Sequence, residues 1–263
     1  MKAWIPRGTR RWARPLGATA AAGVAMAALT GTVVFAGGGA AGGGKSGGTT
    51  VTDPSLPAPR VDMRIVRESD RDGKAVNLTL DDGPDPTWTP KALEILARYG
   101  AKATFCMTGP NARAHPDLVK KVVAAGHRLC DHSMSHDTAM DKKPVGYQKK
   151  EILDAQKMIE EAAGGERVRY YRAPGGAFTP QSRQLAAAHG MVNLGWNVDP
   201  GDYERPGTDA IVAKVKRQLR NGPTILLHDG GGDRAQSMEA LERLLPWLKE
   251  QGYAFGFPKI PQA

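Results

Sequence analysis

Residues 75–84 read AVNLTLDDGP. An apolar, β-branched run, Ala75–Leu80, stops at two adjacent carboxylates, Asp81 and Asp82, and a Gly83-Pro84 turn. A short run bounded by a turn signal reads as a buried strand, and this one ends in charge. The pattern recurs along the chain. Further runs lie at Thr104–Met107, Arg128–Cys130, Val168–Tyr171, Met191–Trp196, Thr224–Leu227 and Ala254–Phe257. Helical patterns fill the intervals, at Pro90–Tyr99, Pro116–Ala125, Gly146–Ala163, Pro180–His189, Asp209–Arg220 and Gln236–Gln251. Several of these begin at Pro and stop at Gly, as in Pro116 to Gly126 and Pro180 to Gly190, which is the chemistry of helix starts and stops. Seven strands alternating with six helices predict an α/β fold with a parallel sheet, closed into a barrel or doubly wound. Either form places chemistry at the C-terminal ends of strands.

The polar residues obey that expectation. Asp81-Asp82 follows the first run, Asp131-His132 and His136 the third, Arg172 the fourth, Asp199 and Asp202 the fifth, and His228-Asp229 the sixth. Neighbouring carboxylates repel unless a cation or an arginine holds one of them; otherwise Asp-Asp-Gly-Pro is an ordinary solvated turn. In HSMSH (132–136) the histidines are four apart. On one helical turn that spacing aims two imidazoles at one metal at ~2.0–2.1 Å. One Asp completes a set that suits zinc and is also accepted by cobalt, nickel, iron and manganese. His228 closes an apolar run, where a histidine either donates a proton into a shared mouth or anchors the glycine-rich loop that follows. Arg172 can clamp a carboxylate, and the glycines of Arg172–Gly176 let a backbone N–H approach a ligand. Trp88, after the Asp81-Asp82 turn, and Trp196, before Asp199, are candidates to stack on a bound ring; Trp247, on a helix, reads as packing. His115, His127 and His189 read as structural.

Taken together, LTLDDGP (78–84), HSMSH (132–136), RAPGG (172–176), DPGDY (199–203) and LLHD (226–229) resemble, in order and approximate spacing, the five motifs of the polysaccharide deacetylases, the NodB-homology fold of carbohydrate esterase family 4. The resemblance covers about residues 72–257. It implies a distorted (β/α)7 barrel. It further implies that Asp81 is the base and Asp82, His132 and His136 the ligands of one divalent metal ion, zinc before cobalt or nickel. Arg172 would orient the base, His228 act as the acid and Asp202 tune it. Gly175 would offer its N–H to an oxyanion, Leu226 line the acetyl pocket, and Trp196 and Tyr203 shape the sugar site. Two positions depart from the family: Gly175 stands where an aromatic is usual and Tyr203 where tryptophan is common. The implied activity is hydrolysis of N-acetyl groups on a cell-wall or chitin-type glycan by a monomer. An O-acetyl esterase on acetylated xylan would use the same residues. An inactive carbohydrate-binding relative would have lost a ligand or the base, and every position is filled. A glycosidase is excluded, because adjacent Asp81 and Asp82 cannot straddle a glycosidic bond at ~5–9.5 Å.

The rest of the chain bears on location. The 263 residues carry 36 Lys+Arg against 27 Asp+Glu, a net +9, and 41% are hydrophobic, a composition neither disordered throughout nor multi-spanning. Five of the basic residues (Lys2, Arg7, Arg10, Arg11, Arg14) fall in residues 1–36, which hold no acid, so the excess over the remainder drops to four. That remainder is too weakly basic to argue for a nucleic-acid partner. Residues 1–36, with the uncharged stretch Leu16–Phe35, read as a signal peptide or an uncleaved membrane anchor, and Arg10-Arg11 admits a twin-arginine route. The folded part should therefore be secreted or face the cell envelope. Residues 37–59 are rich in Gly and then Pro and read as a tether, with the domain at 60–263. Within the tether, Gly39–Ser46 (GAAGGGKS) matches a phosphate loop but lacks the following helix such a loop needs. Cys106 and Cys130 are the only cysteines, too few for a thiolate metal site. They read either as a disulfide or as buried thiols.

Overall fold

Strand β1 (Ala75–Asp81) is buried along its whole length, and its alternate residues meet two environments. Val76, Leu78 and Leu80 join the main core, packing with Ile95 and Leu96 of helix α1 (Trp88–Arg98) and with Leu241 and Leu244 of helix α7 (Ala235–Glu250). The residues between them turn to the other face, as the two-residue period of a strand requires. There Asn77 Nδ2 donates to Thr224 Oγ1 (2.8 Å), Thr79 Oγ1 donates to the Ile225 carbonyl (2.7 Å), and Asp81 accepts from Arg172 (2.6 Å). One face is thus oil and the other a polar ladder ending in a carboxylate.

This computed structural model describes residues 52–261. The remaining strands are β2 (Ala103–Met107), β3 (Arg128–Asp131), β4 (Tyr170–Tyr171), β5 (Val192–Asn193), β6 (Thr224–His228) and β7 (Ala254–Gly256). All pair in parallel, in the order β5-β4-β3-β2-β1-β6, while β7 pairs with Ala75–Asn77 of β1. Beyond β5 the chain returns to β6 through a bridge between Val198 and Ile225. The parallel sheet is therefore curled toward closure, as a distorted (β/α)7 barrel, and the strands match the seven expected runs. The other helices are α2 (Gly109–Ala114), α3 (Pro116–Ala124), α4 (Val145–Ala162), α5 (Pro180–Ala188) and α6 (Thr208–Gln218). Helix α5 starts on a capping box in which Thr179 Oγ1 accepts from the Ser182 N–H (2.9 Å) and Ser182 Oγ accepts from the Thr179 N–H (2.9 Å), satisfying donors that a helix start leaves free. The six-residue α2 was not anticipated; it is too short to show a helical period.

Two further features are settled here. Cys106 and Cys130, register partners on β2 and β3 with Cα atoms 4.2 Å apart, form a disulfide. It lies in a second buried cluster with Val66, Tyr170, Val192 and Leu194. Residues 53–57, within the expected tether, make contacts with the domain. The Asp53 N–H donates to Gln184 Oε1 (2.7 Å), Gln184 Nε2 donates to the Asp53 and Pro57 carbonyls (3.0 and 3.1 Å), and Leu56 packs on the core. The signal or anchor at 1–36 and the GAAGGGKS stretch lie outside the described residues. Among the described residues no helix is long and apolar enough to cross a membrane.

Candidate active site

Asp81 ends β1 pointing to the polar face, where Arg172, the residue after β4, meets it. The guanidinium is fully buried and spends its donors on Asp81 Oδ1 (2.6 Å), Thr79 Oγ1 (2.8 Å) and the Gly195 carbonyl (3.2 Å). Burial raises the Asp81 pKa above its ordinary value, against the pull of Arg172. Asp82 turns the other way. Its φ of 74° is left-handed, a conformation costly to a residue with a side chain, and it carries the carboxylate toward the HSMSH loop. Gly230 presses on this turn: a Cβ there would lie 2.3 Å from the Asp82 carbonyl oxygen, so only glycine lets the segment after β6 lie across it.

His132 and His136 do not share a helical turn. Residues 132–136 form an irregular loop with Ser133 (φ 68°) and His136 (φ 54°) left-handed, and this loop, not an i, i+4 helical face, brings the rings to 5.0 Å between centroids. His132 Nδ1 lies 2.8 Å from the Arg172 carbonyl. A carbonyl only accepts, so Nδ1 carries the proton and Nε2 presents its lone pair. Burial pushes the His132 pKa down to about 3, keeping the ring neutral. His132 Nε2 and His136 Nε2 lie 3.6 and 3.2 Å from Asp82 Oδ1, a buried oxygen that accepts no hydrogen bond among the described residues. One ligand atom from each of the three residues falls within 4.8 Å of the others. Two imidazole nitrogens and an unpartnered carboxylate oxygen turned to one point fit a divalent metal ion of borderline softness.

Across the cavity His228 ends β6. Its Nδ1 lies 2.7 Å from Asp202 Oδ1, its own N–H donates to Asp202 Oδ2 (3.0 Å), and Ser237 Oγ donates to the same oxygen (2.6 Å). Burial opposes charge on the imidazole, but the Asp202 hydrogen bond and the charges of Asp202, Asp81 and Asp82 outweigh it and raise the pKa above 6.5. Nδ1 being committed, Nε2 is the atom left to exchange a proton.

A cavity of about 690 Å³ joins these groups, lined by Asp81, Asp82, His132, His136, Gly175, Trp196, Tyr203, Leu226 and His228. Arg172 and Asp202 lie buried behind its wall. Trp196 packs on Gly176, where a Cβ would come within 3.1 Å of the indole. Tyr203 stays half-exposed, with its ring edge-on to His228 at 5.4 Å. The Gly175 N–H makes no backbone hydrogen bond among the described residues. Trp88 does not line the cavity; it packs on the main core from the start of α1. His127 is structural, its Nδ1 accepting from the Ala103 N–H (3.1 Å).

Other residues of the site were given no role from the sequence. Glu151 of α4, buried, accepts through Oε2 from the N–H groups of Met134 (3.1 Å) and Ser135 (2.8 Å) and from Ser135 Oγ (2.9 Å). Asp131 Oδ1 accepts from the Ser133 N–H (2.7 Å). These two carboxylates hold the loop that carries both histidines. Asp229, pushed up to about 7 by burial, accepts from Thr89 Oγ1 (2.6 Å) and packs on Gly83. Asn111 of α2 donates to the Asp82 carbonyl (2.9 Å). Only Asp131 and Asp229 had a visible signal, as the immediate neighbours of His132 and His228.

The chain is similar to known proteins of one family. The sequence model of the polysaccharide deacetylase family matches residues 68–194. A peptidoglycan-N-acetylglucosamine deacetylase of Bacillus cereus is 39% identical over 184 residues, 69% of this chain and 85% of that protein. A chitooligosaccharide deacetylase of Sinorhizobium fredii is 36% identical over 203 residues, 73% of this chain and 93% of the relative. Among solved structures, a family 4 carbohydrate esterase from Streptomyces lividans in complex with acetate superposes with a TM-score of 0.64 at 31% identity, covering 72% of this chain and 99% of that one.

Proposed function

The chain belongs to the polysaccharide deacetylase family, and on that premise we propose that its cavity hydrolyses the N-acetyl groups of an N-acetylglucosamine glycan of the cell wall or chitin type, releasing acetate and a free amine. The observation that carries this reading is the pairing, across one cavity, of a buried Asp81–Arg172 ion pair with a His228–Asp202 pair. Amide hydrolysis needs a base for water and an acid for a poor leaving amine; burial raises the proton affinity of Asp81 while Arg172 holds it as an acceptor, and Asp202 favours the protonated form of His228.

In this reading Asp82, His132 and His136 hold the divalent ion, zinc being the metal the donor set suits best, and when bound it supplies Lewis acidity that polarises the acetyl carbonyl and acidifies water. Asp81 takes the water proton at its carboxylate, and Arg172 fixes that carboxylate in place. The Gly175 N–H donates to the developing oxyanion, a contribution of about 3 kcal/mol for one such donor. Leu226 borders the acetyl methyl, while Trp196 and Tyr203 wall the sugar. His228 passes its proton from Nε2 to the amine nitrogen, and Asp202, held by Ser237, keeps the imidazole oriented through Nδ1. Residues 1–36 deliver the domain to the envelope, as cleaved signal or retained anchor, and residues 37–59 tether it.

An acetate-release panel tests the reading. The chain should release acetate from N-acetylglucosamine oligomers or peptidoglycan and far less from acetylated xylan. Asp81→Asn should abolish release while bound metal stays unchanged. A chain active only on xylan esters, or an Asp81→Asn variant with near-normal turnover, would overturn the assignment.

A further inference from the structure

Arg234 is a buried cation that makes no ion pair among the described residues. It directly precedes α7, is 5% exposed and lines the cavity. Its Nε donates to the Gly230 carbonyl (2.6 Å) and its Nη2 to the Gly231 carbonyl (2.9 Å). Among the described residues it forms no salt bridge, and Nη1 makes no hydrogen bond to the protein. Carbonyl contacts hold a guanidinium still but do not neutralise it, and Nη1 is left free on the cavity wall for an incoming acceptor.

The neighbouring carboxylates are otherwise engaged. Asp81 belongs to Arg172, Asp202 to His228, and Asp82 faces the histidine pair. Asp199 also lines the cavity, on the side of Tyr203, whose pKa its charge raises. Gly231, at φ 71°, brings Arg234 close to the Asp82 end. A Cβ there would start 2.6 Å from Asp82 Oδ2 and 3.3 Å from Arg234 Nη2. Only a residue without a side chain lets a rigid guanidinium stand on the wall beside that carboxylate. A neutral sugar hydroxyl would satisfy a donor there but leave the charge. A carboxylate would do both, through the fork geometry that guanidinium and carboxylate share.

We propose that Arg234 is a specificity residue that seats a carboxylate of the substrate, so that the preferred glycan carries a carboxylate on a sugar next to the acetylated one, as a strand alternating with N-acetylmuramic acid does where the lactyl carboxyl bears no peptide, rather than being a neutral chitin-type oligomer. The proposal rests on the deacetylase reading and selects between its two substrate classes.

The test measures equilibrium binding to the metal-loaded chain by calorimetry, with Asp81→Asn present to prevent turnover. The two probes are N-acetylglucosamine tetramer and a tetramer alternating N-acetylglucosamine with N-acetylmuramic acid. The charged oligomer should bind more tightly, and raising the salt should weaken it selectively. Arg234→Gln should cost it about tenfold or more in affinity while leaving the neutral oligomer within about twofold, and Arg234→Lys should restore part of the loss. Equal losses on both oligomers would mark a structural arginine, and an unchanged preference an idle one; either result overturns the proposal. If Arg234→Gln fails to fold, the salt dependence of the parent decides, and equal salt sensitivity for the two oligomers overturns it. Acetate release from the neutral tetramer by the unsubstituted chain reports on the deacetylase reading separately, so the two ideas can fail independently.

Discussion

His228 and the His132–His136 pair face one cavity from walls built in different ways. His228 is the last residue of a regular strand, in register with Asp81 of β1, and its imidazole is fixed by one buried partner, Asp202. His132 and His136 ride on an irregular loop with two left-handed residues, each a conformation costing about 1–3 kcal/mol. That loop keeps its shape because Glu151 and Asp131 accept its N–H groups from behind. The proposed proton donor needs one atom at the right place, which strand register supplies. The proposed metal site needs three atoms converging on a point, which no single element supplies, and the loop that brings them together carries left-handed residues and is held by carboxylates from outside the cavity.

The largest effect should come from removing a member of either wall. His228→Ala should lower acetate release by about 100- to 10,000-fold with metal content unchanged. Asp82→Ala should abolish release and lose the metal. Loss of metal in the His228 variant, measured by elemental analysis, would erase the division between the walls.

Next comes the support of the loop. Glu151→Gln should weaken metal affinity by about tenfold, in the range seen for partners that orient ligands, while activity returns at saturating metal. Competition with a chelator reads this directly, and an unchanged affinity would show that the loop holds itself.

The smallest effect tests the strand wall. Asp202→Asn removes the charge, and weakens the hydrogen bond, that raise the His228 pKa and leaves burial, which lowers it, less opposed. His228 must be protonated to act as acid, so the alkaline limb of the pH profile should move to lower pH, with metal affinity unaffected. A limb that stays in place would separate Asp202 from the acid.

The same contrast decides what the sequence made legible. The strands were readable because each is a short apolar run closed by charge, and Asp81, Arg172 and His228 were readable because strand ends fix where side chains go. The convergence of His132 and His136 was anticipated but its means was not: spacing of four suggested a helical turn, whereas the chain uses left-handed backbone that spacing does not encode. Glu151 was hidden among charges in KKEILDAQ, on a helix that otherwise reads as an ordinary amphipathic face. Arg234 was hidden in the polar stretch GGGDRAQS. The docking of Asp53–Pro57 was invisible because Gln184, 131 residues beyond Asp53, makes the hydrogen bonds.

The most direct test is acetate release from an N-acetylglucosamine oligomer by the intact chain before chelation, after complete metal removal, and after zinc is returned. Activity should vanish with the metal and come back with zinc, while the fold seen by circular dichroism stays unchanged. Release that survives complete removal would contradict a metal site built on Asp82, His132 and His136.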